Sequence, residues 1–225
     1  MKKKYYVYQM DIKLLNILSI IIALFLCVLL VILYKGRVDV LLNNGLSLAM
    51  VFLIPYFCLH EVFHSIAYVL HGASFSKITY GAHIEKGILC CLCKQNITKK
   101  NILISLLYPF IFLGVIAFII GYYFDLYFLV LLAVMNISGC AGDFIMFYHL
   151  VKIKDYEFSE FDDSIGFGLY TKEDLSNKKY NGLNFIKETS SLERKDFKKI
   201  TISKPSIIYM LLLSILGLAN YFLDK

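Results

Sequence analysis

The run His60-Glu61-Val62-Phe63-His64 places two imidazoles four residues apart with a carboxylate between them. On a helix, positions i and i+4 share a face, so both rings reach one Zn²⁺ at ~2.0–2.1 Å, while Glu61, about 100° around the axis, reaches a water that the metal activates. The motif lies inside an apolar run, where a His-Glu-His cluster is costly unless a bound dication or a polar neighbour compensates it. Two readings follow: a metal site, or a satisfied polar patch between packed helices.

Catalytic zinc takes three protein ligands and keeps one position open for water. The third ligand has to come from another element, and Asp143, in Asn136-Ile-Ser-Gly139-Cys140-Ala-Gly142-Asp143, is the acid that lies inside another apolar run. If the two runs end near Leu70 and Val151 at the same membrane face, His60/His64 and Asp143 each lie about eight residues, or ~12 Å, from that face. Asn136 sits two turns from Asp143 on the same helix face, placed to orient Asp143 or to contact substrate, and Gly139 and Cys140 between them permit close helix approach. The bland alternative makes Asp143 a hydrogen-bonding partner in helix packing. His71 reads as interfacial, His83 as a hairpin residue and His149 as lying near the membrane boundary, off the Asp143 face. Cys90-Cys91-Leu92-Cys93 lacks the second pair that a zinc clip needs, and a cytoplasmic setting would keep these thiols reduced, so neither a disulfide nor a structural zinc is expected. Lipidation of Cys90, Cys91 or Cys93 rests on their location alone, while Cys27, Cys58 and Cys140 read as small apolar residues.

The elements that must hold these groups are membrane helices. Of 225 residues 59% are hydrophobic and 18% charged, which places the chain among membrane proteins and excludes disordered, collagenous and disulfide-knot classes. The net charge of +6 follows from basic segments flanking apolar runs, so no nucleic-acid partner is expected. The fold class is mainly α: a polytopic helix bundle of about five spans with a small β-hairpin at the membrane surface and a short cytoplasmic segment. The spans are Leu14–Tyr34, Val40 through Leu59 to Leu70, Asn101–Phe124, Leu126–Val151 and Pro205–Leu223. Lys2, Lys3, Lys4 and Lys13, then Lys77, Lys86, Lys94, Lys99 and Lys100, put the amino terminus and the loop after the second span in the cytoplasm and the carboxyl terminus outside. Lys77–Gln95 alternates and turns at Glu85-Lys86-Gly87, which reads as the hairpin. The organisation is thus 1–151, a membrane core with an amino-terminal cytoplasmic tail, four spans and the hairpin 77–95; 152–204, a cytoplasmic segment that packs back under the membrane domain; and 205–225, the fifth span.

His60-Glu61-x-x-His64, a hairpin, Pro109 early in the next span, Asn136, Gly142-Asp143 and Asp163-x-x-Gly166-Phe167 followed by Tyr170 together resemble the putative zincin peptidase family of bacterial membrane proteins, over about Leu46 to Tyr170. The arrangement is similar, more distantly, to the site-2 proteases, intramembrane zinc enzymes with H-E-x-x-H on one span and a ligand Asp on a later one. The resemblance implies His60, His64 and Asp143 as zinc ligands and Glu61 as the base. The site-2 pattern has Asn, Pro and then Asp-Gly, whereas here no proline lies near Asp143 and Phe144 follows it.

The expected function is a membrane-embedded zinc metalloprotease that hydrolyses a peptide bond in or next to the membrane, with Glu61 moving the proton of a zinc-activated water to the leaving amine. Its partners are a membrane protein or peptide substrate and the lipid bilayer; the location is a bacterial plasma membrane, multi-pass, with the site near the cytoplasmic side. The alternative from another class is a non-catalytic membrane protein, such as an immunity factor, accessory or chaperone, whose H-E-x-x-H cluster packs helices or binds metal without turnover. A histidine-box di-iron enzyme needs about eight histidine or carboxylate ligands, which five scattered histidines argue against.

Overall fold

The computed structural model describes residues 4–83, 88–160, 166–175 and 183–189. Strand β1 (Lys4–Met10) leads into helix α1 (Ile12–Leu33). The Asp11 carboxylate caps α1 by accepting from the amides of Lys13 at 2.9 Å and Leu14 at 3.3 Å, a contribution of about 1 kcal/mol. Ile20, Ile21, Leu24, Phe25 and Val28 of α1 all point outward, a face suited to hydrocarbon rather than water. Helix α2 (Val38–Leu70) has 33 residues and, at 1.5 Å per residue, runs ~50 Å, past a ~30 Å hydrocarbon core.

A short 3₁₀ turn, Phe75–Lys77, precedes β2 (Ile78–His83) and β3 (Ile88–Cys93), which pair antiparallel from Ile78↔Cys93 to His83↔Ile88. This is the hairpin expected from the alternation; its turn at Glu85-Lys86-Gly87 lies outside the described residues. Strand β4 (Ile97–Thr98) opens α3 (Lys99–Pro109), which continues through a π-helical stretch at Phe110–Ile116 into α4 (Ala117–Tyr123) as one span of 25 residues. Then come α5 (Tyr127–Gly139) and α6 (Ala141–Lys152), bent by 44° relative to each other, and strands β5 (Glu157–Glu160), β6 (Gly166–Thr171) and β7 (Leu183–Thr189). Among the described residues three helices are long and apolar enough to cross a membrane, or four when the bent pair counts as one span. These coincide with the first four expected spans; Pro205–Leu223 lies outside the described residues.

Small residues set the helix spacing. A Cβ at Gly45 would stand 2.9 Å from the carbonyl carbon and the Cβ of Tyr127, so glycine permits α2 and α5 to touch there. At the other end of the bundle the non-helical pieces form more than a hairpin. Lys4–Met10, read from sequence as part of a tail, is an inner strand of an antiparallel five-stranded sheet ordered β4-β5-β6-β1-β7. Its residues Tyr5, Tyr6, Val7 and Tyr8 are all buried. The Tyr5 ring occupies the place that a side chain at Gly168 would need and lies 4.6 Å, centroid to centroid, from Tyr170.

Sheet, hairpin and helix ends share one core. Tyr6 and Tyr8 of β1, Ile78 and Tyr80 of the hairpin, Tyr68 of α2, Ile102 and Leu106 of α3 and Leu150 of α6 belong to a single buried cluster. The Tyr80 hydroxyl donates to Ser65 Oγ at 2.6 Å, and Ser65 in turn donates to the Val62 carbonyl at 2.7 Å. The hairpin is thereby tied to α2 one residue beyond His64. Lys99 Nζ donates to the carbonyls of Val151 at 3.1 Å, Ile153 and Lys154, which satisfies the end of α6 and holds it against the start of α3.

Candidate metal centre

Helix α2 carries His60 and His64 on its inner face, 8% and 7% exposed, and the first turn of α6 carries Asp143. The two Nε2 atoms are 3.2 Å apart; Asp143 Oδ2 lies 3.3 Å from His60 Nε2 and Oδ1 lies 3.5 Å from His64 Nε2. Ligands bound tetrahedrally at ~2.0–2.1 Å are separated by ~3.3–3.4 Å. The three side chains can therefore hold a metal ion, with one ligand atom each and all three within 4.8 Å of one another.

The surrounding hydrogen bonds aim these atoms. Asn136, fully buried on α5, donates from Nδ2 to the Pro109 carbonyl at 3.1 Å, and its Oδ1 lies 2.9 Å from His60 Nδ1. His64 Nδ1 lies 3.0 Å from the Ser105 carbonyl. A carbonyl only accepts, so the bond to Pro109 orients the Asn136 amide, and both Nδ1 atoms must be donors. In neutral imidazoles both Nε2 lone pairs then face the Asp143 carboxylate, whose buried Oδ2 has no hydrogen-bond partner among the described residues. Two lone pairs and a carboxylate converging at tetrahedral spacing, with each imidazole anchored through its other nitrogen, form the donor set and outer shell that zinc takes in open catalytic sites.

Local sequence explains the placement. The bent pair breaks at Cys140, where ψ is 6°, so a new helix begins two residues before Asp143 and its amino-terminal end favours a carboxylate. The small residues around the break allow the approach expected of them: a Cβ at Gly139 would stand 3.2 Å from Phe57 of α2, and one at Gly142 would stand 3.3 Å from Leu15 of α1. Phe144, where the site-2 pattern has glycine, meets Phe110 edge-on at 5.1 Å. Phe63 stacks on Phe112 at 5.4 Å beside the motif, so apolar rings flank the polar cluster.

Of the residues singled out in the sequence, His60, His64 and Asp143 come together. Asn136 reaches His60 rather than Asp143. Glu61 is partly buried and has no hydrogen-bond partner among the described residues. His71 ends α2, with Nδ1 2.7 Å from the Ala67 carbonyl, and neither it nor His149 belongs to a metal-capable group among the described residues. Cys90, Cys91 and Cys93 lie on β3, and no disulfide joins any of the six cysteines. Sequence reasoning missed the backbone of Ser105, which anchors His64, and Tyr56, one turn before His60, which donates to the Leu113 carbonyl at 2.6 Å.

Comparison with known proteins adds one match. A family model described as "putative zincin peptidase" matches residues 53–157, a stretch that contains both imidazoles, Asp143, Asn136 and Ser105. No curated protein and no solved structure matches the chain. Residues 53–157 are thus similar to a family described as zincin peptidases, a description that implies zinc as the metal.

Proposed function

We propose that the chain is a membrane zinc protease whose metal is held by His60, His64 and Asp143 and whose general base is Glu61. The observation that carries this reading is the convergence of three ligand atoms at 3.2–3.5 Å with both imidazole Nδ1 protons turned outward to carbonyl groups. Zinc bound there supplies Lewis acidity, which lowers the pKa of water and polarises a carbonyl.

The protein's residues do the rest. Asn136 and the Ser105 carbonyl keep the rings from rotating, so both Nε2 atoms stay turned toward Asp143. Glu61, which has no side-chain hydrogen bond among the described residues, takes a proton from water and returns it to the leaving amine nitrogen, an acid–base contribution of about 10²–10⁴-fold. The flanking phenylalanines exclude bulk water and strengthen each electrostatic interaction. The substrate is a membrane protein or peptide that must be extended to expose its carbonyl, and an edge of the β2–β3 hairpin, tethered to α2 through Tyr80 and Ser65, offers main-chain pairing for such a segment. The lysines of the hairpin and of the start of α3 favour a cytoplasmic position for this end of the bundle, so cleavage falls near the inner leaflet of the plasma membrane.

Metal content of detergent-purified protein tests the ligands. About one zinc per wild-type chain is expected, lost in folded His64→Ala and Asp143→Ala variants. Glu61→Gln should keep the metal and abolish cleavage of a co-expressed membrane substrate; turnover surviving that change would overturn the mechanism, and full zinc retention by Asp143→Ala would overturn the ligand set.

A further inference from the structure

Helix α2 and the span that begins with α3 meet through a ladder of side chains and backbone carbonyls. Tyr56 Oη donates to the carbonyl of Leu113, His60 reaches that of Pro109 through the Asn136 amide, and His64 Nδ1 donates to that of Ser105. Positions 56, 60 and 64 thus oppose 113, 109 and 105, four residues apart on each helix and antiparallel. In a regular α-helix a carbonyl is already engaged by the amide four residues on, so a rung of this ladder needs a carbonyl with accepting capacity to spare.

The residue four positions after Ser105 is Pro109. Proline has no N–H, so it withdraws the amide that a helix would direct at the Ser105 carbonyl. That is the carbonyl His64 uses. Pro109 also contributes its own carbonyl to Asn136, and the π-helical stretch Phe110–Ile116, a feature frequent at functional sites, begins at the next residue. Pro109 is buried, and the span continues through it.

We propose that Pro109 is a positioning residue of the metal centre: its missing N–H leaves the Ser105 carbonyl to fix the His64 tautomer, and its own carbonyl fixes, through Asn136, that of His60. This rests on the reading of His60, His64 and Asp143 as zinc ligands, but its direct consequence, a proton on His64 Nδ1, exists without zinc and is measured without it. A purely structural proline would tolerate any replacement that keeps the helix, whether or not the new residue brings an N–H.

The test compares wild type, Pro109→Ala, and the full chain carrying at position 109 an alanine-like α-hydroxy acid, which has alanine's methyl group and no N–H. Each is purified in detergent and checked for unchanged helix content by circular dichroism. Histidine ¹⁵N chemical shifts of the metal-free proteins, recorded above the imidazole titration range, report the tautomers, and chelator competition reports zinc affinity. His64 should carry its proton on Nδ1 in wild type and in the hydroxy-acid variant. In Pro109→Ala it should become a mixture of tautomers, and zinc binding should weaken about tenfold, the scale of an outer-shell loss.

Equal effects of alanine and hydroxy acid would overturn the proposal and assign the effect to the ring. An unchanged His64 tautomer with unchanged zinc affinity in Pro109→Ala would overturn it outright. A tautomer change in Pro109→Ala in a protein that binds no zinc in any form would instead overturn the zinc reading and leave the hydrogen-bond assignment standing.

Discussion

At the scale of single residues, the centre depends on where protons are not. Each imidazole has two nitrogens, and a ligand nitrogen must present a lone pair, so the proton has to be held on the other. His60 and His64 solve this with different partners, an amide side chain and a backbone carbonyl. The His60 partner can be removed by mutation. Asn136→Ala takes away the oxygen that accepts the His60 Nδ1 proton, and zinc affinity should fall 10- to 100-fold with the protein still folded. Chelator competition measures this, and an unchanged affinity would show that the ring needs no such anchor. Glu61→Gln, by contrast, should leave affinity unchanged and remove turnover, because Glu61 is not among the converging ligand atoms.

At the scale of elements, the ligands meet because helices approach closely and one of them breaks. The break at Cys140 gives Asp143 the first turn of its own helix, and glycines let the neighbours in. Gly45 shows the spacing requirement far from the chemistry, some fifteen residues or ~22 Å along α2 from His60. Gly45→Ala places a methyl 2.9 Å from atoms of Tyr127, too close without a shift of α5, and should destabilise by about 1–3 kcal/mol. A lowered melting temperature with zinc still bound stoichiometrically at low temperature is the expected result; an unaltered melting curve would mean that α2 and α5 separate freely there.

At the scale of the whole molecule, the chain's first strand closes a sheet with segments more than 150 residues later, pairing with β6 on one side and β7 on the other. Deleting residues 1–10 keeps the Asp11 cap of α1 but removes a strand from inside the sheet. β6 and β7 then lose the partner that joins them, and Tyr6 and Tyr8 leave the shared core. Limited proteolysis should cut the 152–189 region faster in the truncated protein, with a lower melting temperature. A cleavage pattern identical to wild type would show that the other strands hold without β1. The same core ties sheet, hairpin and the ends of α2, α3 and α6 together, so this truncation should also loosen zinc binding.

Much of this was legible in the residues themselves. The H-E-x-x-H spacing needs only a helix to bring two imidazoles to one face, and a carboxylate within an apolar run is costly enough to mark Asp143. Hydrophobic run length alone places α1, α2, the span Lys99–Tyr123 and the bent pair. The hairpin followed from alternation within one stretch of chain. The five-stranded sheet did not, because β1 finds its partners by contacts across most of the sequence, and a short tyrosine-rich segment after lysines carries no local sign of them. Nor did the Asn136–His60 contact: a helix face says which residues point the same way, while the partner across the gap depends on where two helices cross and how one of them bends. The carbonyl ladder lies between these cases. Proline at position 109 announces an accepting carbonyl at Ser105 from sequence alone, but that His64 is the side chain to claim it was decided by the packing of α2 against α3.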